Sequence, residues 1–190
     1  MSGVVVVRYD TDDLADAIPR LSAGDRTRLD GLGTDAGRAR FLAGRTALLR
    51  AAAEAGAPGI VVDATCPDCG AAHGRPQALG ASRPLYLALA HAGGAAYAVA
   101  APVPVGIDAE PLDTPPGRRA AIDDLAPGHG DVVRRWTAIE AVLKADGRGL
   151  RVPPDAVRVG RWRAVLDGRR YRLRSIRTDG CRVTVATLSA

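Results

Sequence analysis

Residues 85–111 read LYLALAHAGGAAYAVAAPVPVGIDAEP and contain the longest stretch of the chain free of Asp, Glu, Lys and Arg. Gly93-Gly94 and then Pro102 and Pro104 interrupt it, so it predicts two or three strands rather than one helix. Its last segment carries Asp108 and Glu110 either side of Ala109. On a strand, residues i and i+2 share a face, so both carboxylates point the same way. Without a partner they repel, and one pKa rises. A divalent cation removes that conflict, and hard oxygen donors suit Mg²⁺. An acidic, solvated strand end is the simpler reading of the same pair.

Moving outward, "DVVRRWTAIEAVLKAD" (131–146) has the strongest helical pattern, with Asp131 as N-cap and Gly147 as stop. At 100° per residue Val132, Trp136, Ile139 and Leu143 form an apolar stripe, with Glu140 and Lys144 along its edge. Lys144 is the only lysine among 26 basic residues. An arginine would serve equally well on a solvated face. A lysine is a compact charge that can give up a proton, which Arg cannot do. Glu140 and Lys144 read either as a solvated i,i+4 pair or, with Asp108 and Glu110, as a metal-and-phosphate site.

The rest of the chain fits an α+β protein. "VVVVRY" (4–9) predicts a buried strand, and "RARFLAGRTALLRAAAEAG" (38–56) a helix closed by Gly56 and Pro58. Residues 62–84 read as a long loop and 112–130 as a mobile, breaker-rich connection. The tail reads as strands joined by Asp-Gly turns at 167–168 and 179–180. The two long helices overlay, Phe41-x3-Arg45-x3-Leu49 on Trp136-x3-Glu140-x3-Lys144. This suggests two similar α+β halves, residues 1–103 and 104–190.

At 190 residues, 47% hydrophobic and only 4% aromatic, the core must be built from Ala, Val and Leu. A net charge of +5 favours an anionic partner. The arginines are dispersed with few aromatics among them, so a single-strand stacking platform is poorly supported. "MSGVVVVRYDTDD" has no basic leader and reads as a strand rather than a signal peptide. No apolar stretch reaches membrane-spanning length; a cytoplasmic protein is expected. Three cysteines argue against a disulfide framework. Cys66, Cys69 and His73 in "CPDCGAAH" read either as a reduced surface loop or as a zinc site lacking a recognisable fourth ligand.

Together these motifs resemble the Sfp-type 4′-phosphopantetheinyl transferases. "GIDAEP", then about thirty residues later "WTAIEAVLKADGRGL", with "HGRP" and "AHAGG" upstream, are similar to the family's G-[IV]-D-[IV]-E and W-x-x-K-E-[AS]-x-x-K-x-x-G-x-G-[LF]. The matches run from Arg45 to Leu150. The resemblance implies transfer of phosphopantetheine from coenzyme A to a serine of an apo acyl or peptidyl carrier protein, releasing 3′,5′-ADP. It implies Mg²⁺ held by Asp108, Glu110 and Glu140, with Glu140 as base and Lys144 at the leaving phosphate. Arg45, Gly74, Arg75, Pro76 and His91 would contact coenzyme A, with Arg26 and Arg28 as further phosphate candidates.

The implied fold is two α+β halves related by a pseudo-twofold axis, with coenzyme A between them, acting as a monomer. Residues 112–130 and the start of the helix after them would form the carrier-docking face. Two departures stand out: Ile139 replaces the family's lysine before the metal glutamate, and Ala90 a common serine. The rival readings are a basic nucleic-acid-binding module with zinc at "CPDC", and a non-catalytic protein of the same fold that binds coenzyme A or carriers.

Overall fold

Helix α4, Val132–Asp146, forms where the sequence pattern places it. The Asp131 side chain accepts the Arg134 N–H at 3.1 Å, a cap worth about 1 kcal/mol. Gly147 closes the helix at φ 93°, a left-handed conformation that glycine adopts at little cost. The computed structural model describes residues 3–66 and 68–189, apart from the side chain of residue 150. It shows a mixed α+β protein with two antiparallel five-stranded sheets. Two compact units emerge: Met1–Ala90 with Gly94–Val103, and His91–Gly93 with Pro104–Ala190.

In the first unit the strands are β1 (Val5–Arg8), β2 (Val61–Asp63), β3 (Gln77–Leu79), β4 (Tyr86–Ala92) and β5 (Ala95–Ala101). Their order is β1-β5-β4-β3-β2. Helix α1 (Ala23–Asp30) is short, and α2 (Asp35–Glu54) is the main helix. Ala43, Ala47, Ala51 and Ala52 of α2 share a core with Val5 and Val7 of β1 and Ala96, Ala98 and Ala100 of β5. Small residues on both surfaces allow close packing without aromatics.

The second unit contains β6 (Val105–Pro111), α3 (Pro116–Leu125), α4, β7 (Arg158–Val159), β8 (Arg163–Leu166), β9 (Arg169–Thr178) and β10 (Cys181–Leu188), in sheet order β6-β10-β9-β8-β7. Helix α4 packs on β6 and β10. Its Ala138, Ala141, Val142 and Ala145 share a core with Leu166, Tyr171, Leu173 and Ala186. The β8–β9 and β9–β10 hairpins turn at Asp167-Gly168 and Asp179-Gly180, all four residues at positive φ, as the Asp-Gly pairs predict.

Three expectations need correction. Residues 62–84 are not all loop, because β2 pairs antiparallel with β3 through Val61↔Leu79 and Asp63↔Gln77. The 112–130 connection contains α3, and buried Arg135 ties it down by donating to the carbonyls of Ala126 (2.8 Å) and His129 (3.2 Å) and pairing with Asp123. The apolar stripe of α4 is not one-sided. Trp136 is only half-buried, while Val133, Thr137, Ala138, Ala141 and Ala145 are buried on other faces.

Gly106 sets how closely α4 approaches the sheet. A Cβ there would lie 2.0 Å from the Ala141 carbonyl oxygen and 2.5 Å from the Ala145 nitrogen. Both are helix backbone atoms and cannot swing aside. Gly106→Ala is therefore expected to lower stability by roughly 3 kcal/mol, read as a lower denaturant midpoint.

Candidate functional site: three carboxylates on strand β6 and helix α4

β6 pairs with β10 so that Glu110 faces Arg182, Asp108 faces Thr184 and Gly106 faces Ala186. By the two-residue period of a strand these six positions share one face, and α4 covers it. Thr137 of α4 meets Thr184 hydroxyl to hydroxyl at 2.8 Å. Lys144, near the other end of the helix, donates to Asp108 Oδ1 at 2.7 Å and to the Ile107 carbonyl at 3.1 Å. Glu140 lies one turn before Lys144. The expected quartet is therefore drawn from one strand and one helix of a single unit.

Asp108 is the most unusual member. It is 8% exposed, and its Oδ2 is buried with no hydrogen-bond partner. Burial pushes its pKa up to about 6; the Lys144 ammonium opposes the rise, and the Glu140 and Glu110 charges add to it. Burial also raises Glu140, against the pull of Lys144 and with the help of Glu110. An unpartnered buried oxygen among like charges costs free energy. A bound divalent cation would relieve it.

Arg118 of α3 grips both oxygens of Glu110, and its own pKa rises chiefly through that hydrogen bond. Arg182 is 8% exposed, bonds Asp131 at 2.8 Å and leaves its Nε buried without a partner. Neither arginine stands out in the sequence. Arg118 lies in the segment read as a connection, and the position of Arg182 opposite Glu110 depends on strand register. The three carboxylates do not gather as tightly as a ligand set. Among the described residues, only Cys66, Cys69 and His73 bring His, Cys or carboxylate donor atoms within 4.8 Å of one another as a trio. Two of the carboxylates are held by Lys144 and Arg118 instead, which is how like charges settle when cationic side chains are at hand.

The first unit places the coenzyme A candidates differently. Arg45 is not an open phosphate contact. Its Nε and one Nη donate to the two oxygens of Asp25 at 2.5 and 2.6 Å, both residues are buried, and its guanidinium lies 4.7 Å from the centre of the Phe41 ring. Asp25 already meets its charge. Arg28 donates to the Ala72 carbonyl and Arg26 to that of Pro19. Gly74 is needed for packing, since a Cβ would lie 2.6 Å from the Thr65 carbonyl oxygen. Arg75 sits 5.9 Å from the centre of the Tyr86 ring, and Pro76 is half-buried. His91, at the end of β4, is half-buried and belongs to the second unit.

One further surface feature is a strand face rich in arginine. Arg170, Arg172 and Arg174 alternate along β9, all exposed, and Arg172 lies directly opposite exposed Arg163 of β8, beside exposed Trp162. Among the described residues, no helix is long and apolar enough to cross a membrane. No protein-family model matches the chain, and no curated protein matches its sequence.

Proposed function

We propose that this chain is a Mg²⁺-dependent 4′-phosphopantetheinyl transferase that modifies a serine of an apo acyl or peptidyl carrier protein, with the two-halved α+β fold of that family. The observation that carries the reading is the buried, unpartnered Oδ2 of Asp108 on the face it shares with Glu110, under the helix that bears Glu140. The donor set suits a hard cation: three carboxylates, no sulfur or imidazole. Asp108, Glu110 and Glu140 would hold Mg²⁺, which when bound screens the pyrophosphate and lowers the charge on the leaving phosphate.

The chain's own groups divide the remaining work. Glu140, with its proton affinity raised by burial, takes the proton of the carrier serine as its oxygen bonds to the β-phosphorus of coenzyme A. The pyrophosphate P–O bond breaks and 3′,5′-ADP leaves. Lys144 has three N–H donors, two of them engaged by Asp108 and Ile107, so one remains for the leaving phosphate. Arg118 must release Glu110 for that carboxylate to serve a metal, and its more-than-half-exposed side chain is free to swing.

The acidic surface expected of a carrier protein docks on residues 112–130 and the start of α4, where exposed Arg118 and Arg119 lie on α3 and Arg118 pairs with Glu110. The reading carries with it a cytoplasmic, monomeric enzyme.

The test is direct. The purified chain is incubated with coenzyme A, Mg²⁺ and a panel of apo carriers from fatty acid, polyketide, peptide-synthetase and siderophore systems. A gain of the phosphopantetheine mass on a serine is expected, and it should vanish when a chelator removes the metal. Carriers left unmodified, under conditions where an authentic transferase modifies them, would refute the proposal.

A further inference from the structure

We propose that Cys66, Cys69 and His73 form a zinc site in the first unit that clamps the loop between β2 and β3. It is separate from the carboxylate cluster and does not depend on the transfer reaction. The donor atoms of all three residues lie within 4.8 Å of one another, and Cys69 Sγ is 3.0 Å from His73 Nε2. In a tetrahedral zinc site, Zn–S near 2.3 Å and Zn–N near 2.0 Å put neighbouring donors about 3.5–3.8 Å apart. The observed separations bracket that edge, so small side-chain rotations close it.

The backbone is already folded for the purpose. Cys66 accepts from and donates to its own loop, through Gly70 N–H to the Cys66 carbonyl at 2.9 Å and Cys66 N–H to the Ala71 carbonyl at 2.8 Å. Gly70 takes φ 73° to make the turn between the second thiol and the histidine. All three cysteines of the chain are free thiols. The loop then returns through Gly74, whose N–H donates to the Ala64 carbonyl at 2.6 Å, closing a knuckle between the ends of the β2–β3 hairpin.

A metal also accounts for how this loop keeps its shape. Cys69, Gly70, Ala71 and His73 are exposed, and Cys66 is the one buried side chain between residues 65 and 75 among those described. A stretch with so little to bury has little reason to order itself. Two thiolates and an imidazole suit Zn²⁺, whereas Mg²⁺ takes oxygen ligands. Solvent completes the fourth position, because Cys69 and His73 both face it. Binding displaces the two thiol protons, so zinc uptake releases up to two protons to the buffer. The clamp ends one residue before Gly74-Arg75-Pro76 and would fix the path of that segment.

The full chain, purified without chelators, is expected to hold about one zinc per chain, set free when a mercurial blocks the thiols. Co²⁺ in place of zinc should give a thiolate-to-cobalt charge-transfer band and the visible absorption of a tetrahedral site. Cys69→Ser and His73→Ala change exposed side chains, so the fold should hold, and each should weaken zinc binding about tenfold or more in competition with a chromogenic chelator. Cys181→Ser should leave zinc binding unchanged. Hydrogen exchange supplies a second readout: chelation should expose the amides of residues 64–76 in the wild type and change nothing in Cys69→Ser. The proposal is overturned if the wild type binds zinc no better than Cys69→Ser and His73→Ala, if those variants retain it, or if the loop amides ignore the metal.

Discussion

Asp108→Asn is expected to abolish phosphopantetheinyl transfer and, at the same time, to make the metal-free protein more stable at neutral pH. The two effects share one origin. In the fold the Asp108 carboxyl titrates near pH 6, against an ordinary value of 3.8, because it is buried beside two other acids. Between those values the folded chain holds a proton that the unfolded chain has released. Stability therefore falls as pH rises through this window, and above it the ionised carboxylate costs roughly 3 kcal/mol. Asn fills the same space without ionising, and Lys144 keeps the Ile107 carbonyl as an acceptor.

The variant should thus unfold at a higher denaturant concentration than wild type at pH 7.5 and at the same concentration near pH 4. Adding Mg²⁺ should raise the wild-type midpoint at pH 7.5 and leave that of Asp108→Asn in place. Transfer should drop by about 10³-fold or more, the scale of losing a group that stabilises developing charge. Glu140→Gln should match that loss. Stability that is unchanged by the substitution would show that Asp108 is not buried as a strained anion. Transfer that survives it would remove the carboxylate cluster from the reaction. A residue that costs stability and serves a reaction follows the usual trade between the two.

Local signals made much of this site legible before any coordinates. Asp131 and Gly147 mark the ends of α4, Asp-Gly pairs mark the two hairpins, and the one-residue gap between Asp108 and Glu110 fixes their common face. Each is a rule about neighbours in sequence. What escaped depends on neighbours in space. Arg182 faces Glu110 because of the register of two strands far apart in the chain, and Arg118 reaches the same carboxylate from a helix hidden by prolines and glycines. The short strands β2 and β3 pair across a loop rich in turn residues, so neither has a periodicity long enough to detect. Arg45 was legible as a helical arginine, but its partner Asp25 lies twenty residues earlier in a segment with no pattern of its own.

That partner gives the second large effect. Asp25→Ala should destabilise the first unit by about 3–5 kcal/mol, because it leaves the Arg45 guanidinium buried without a counter-charge. For a chain of this size such a loss lowers the melting temperature by about 10 °C. The pair joins α1 to α2, and beyond it α1 contributes Leu29 to a small cluster with Leu21 and Phe41. The amides of residues 23–30 should accordingly lose hydrogen-exchange protection first. Replacing both partners, Asp25→Leu with Arg45→Met, should recover most of the loss, since apolar side chains of similar volume often substitute for a buried ion pair. The double-mutant cycle then measures a coupling that neither single variant isolates. The same variants separate two roles for Arg45. If it held a ligand phosphate, Arg45→Met would weaken coenzyme A binding with the fold intact. With both charges shut inside and matched to each other, the loss should appear in stability, and the double variant, once refolded to wild-type stability, should bind coenzyme A as the wild type does.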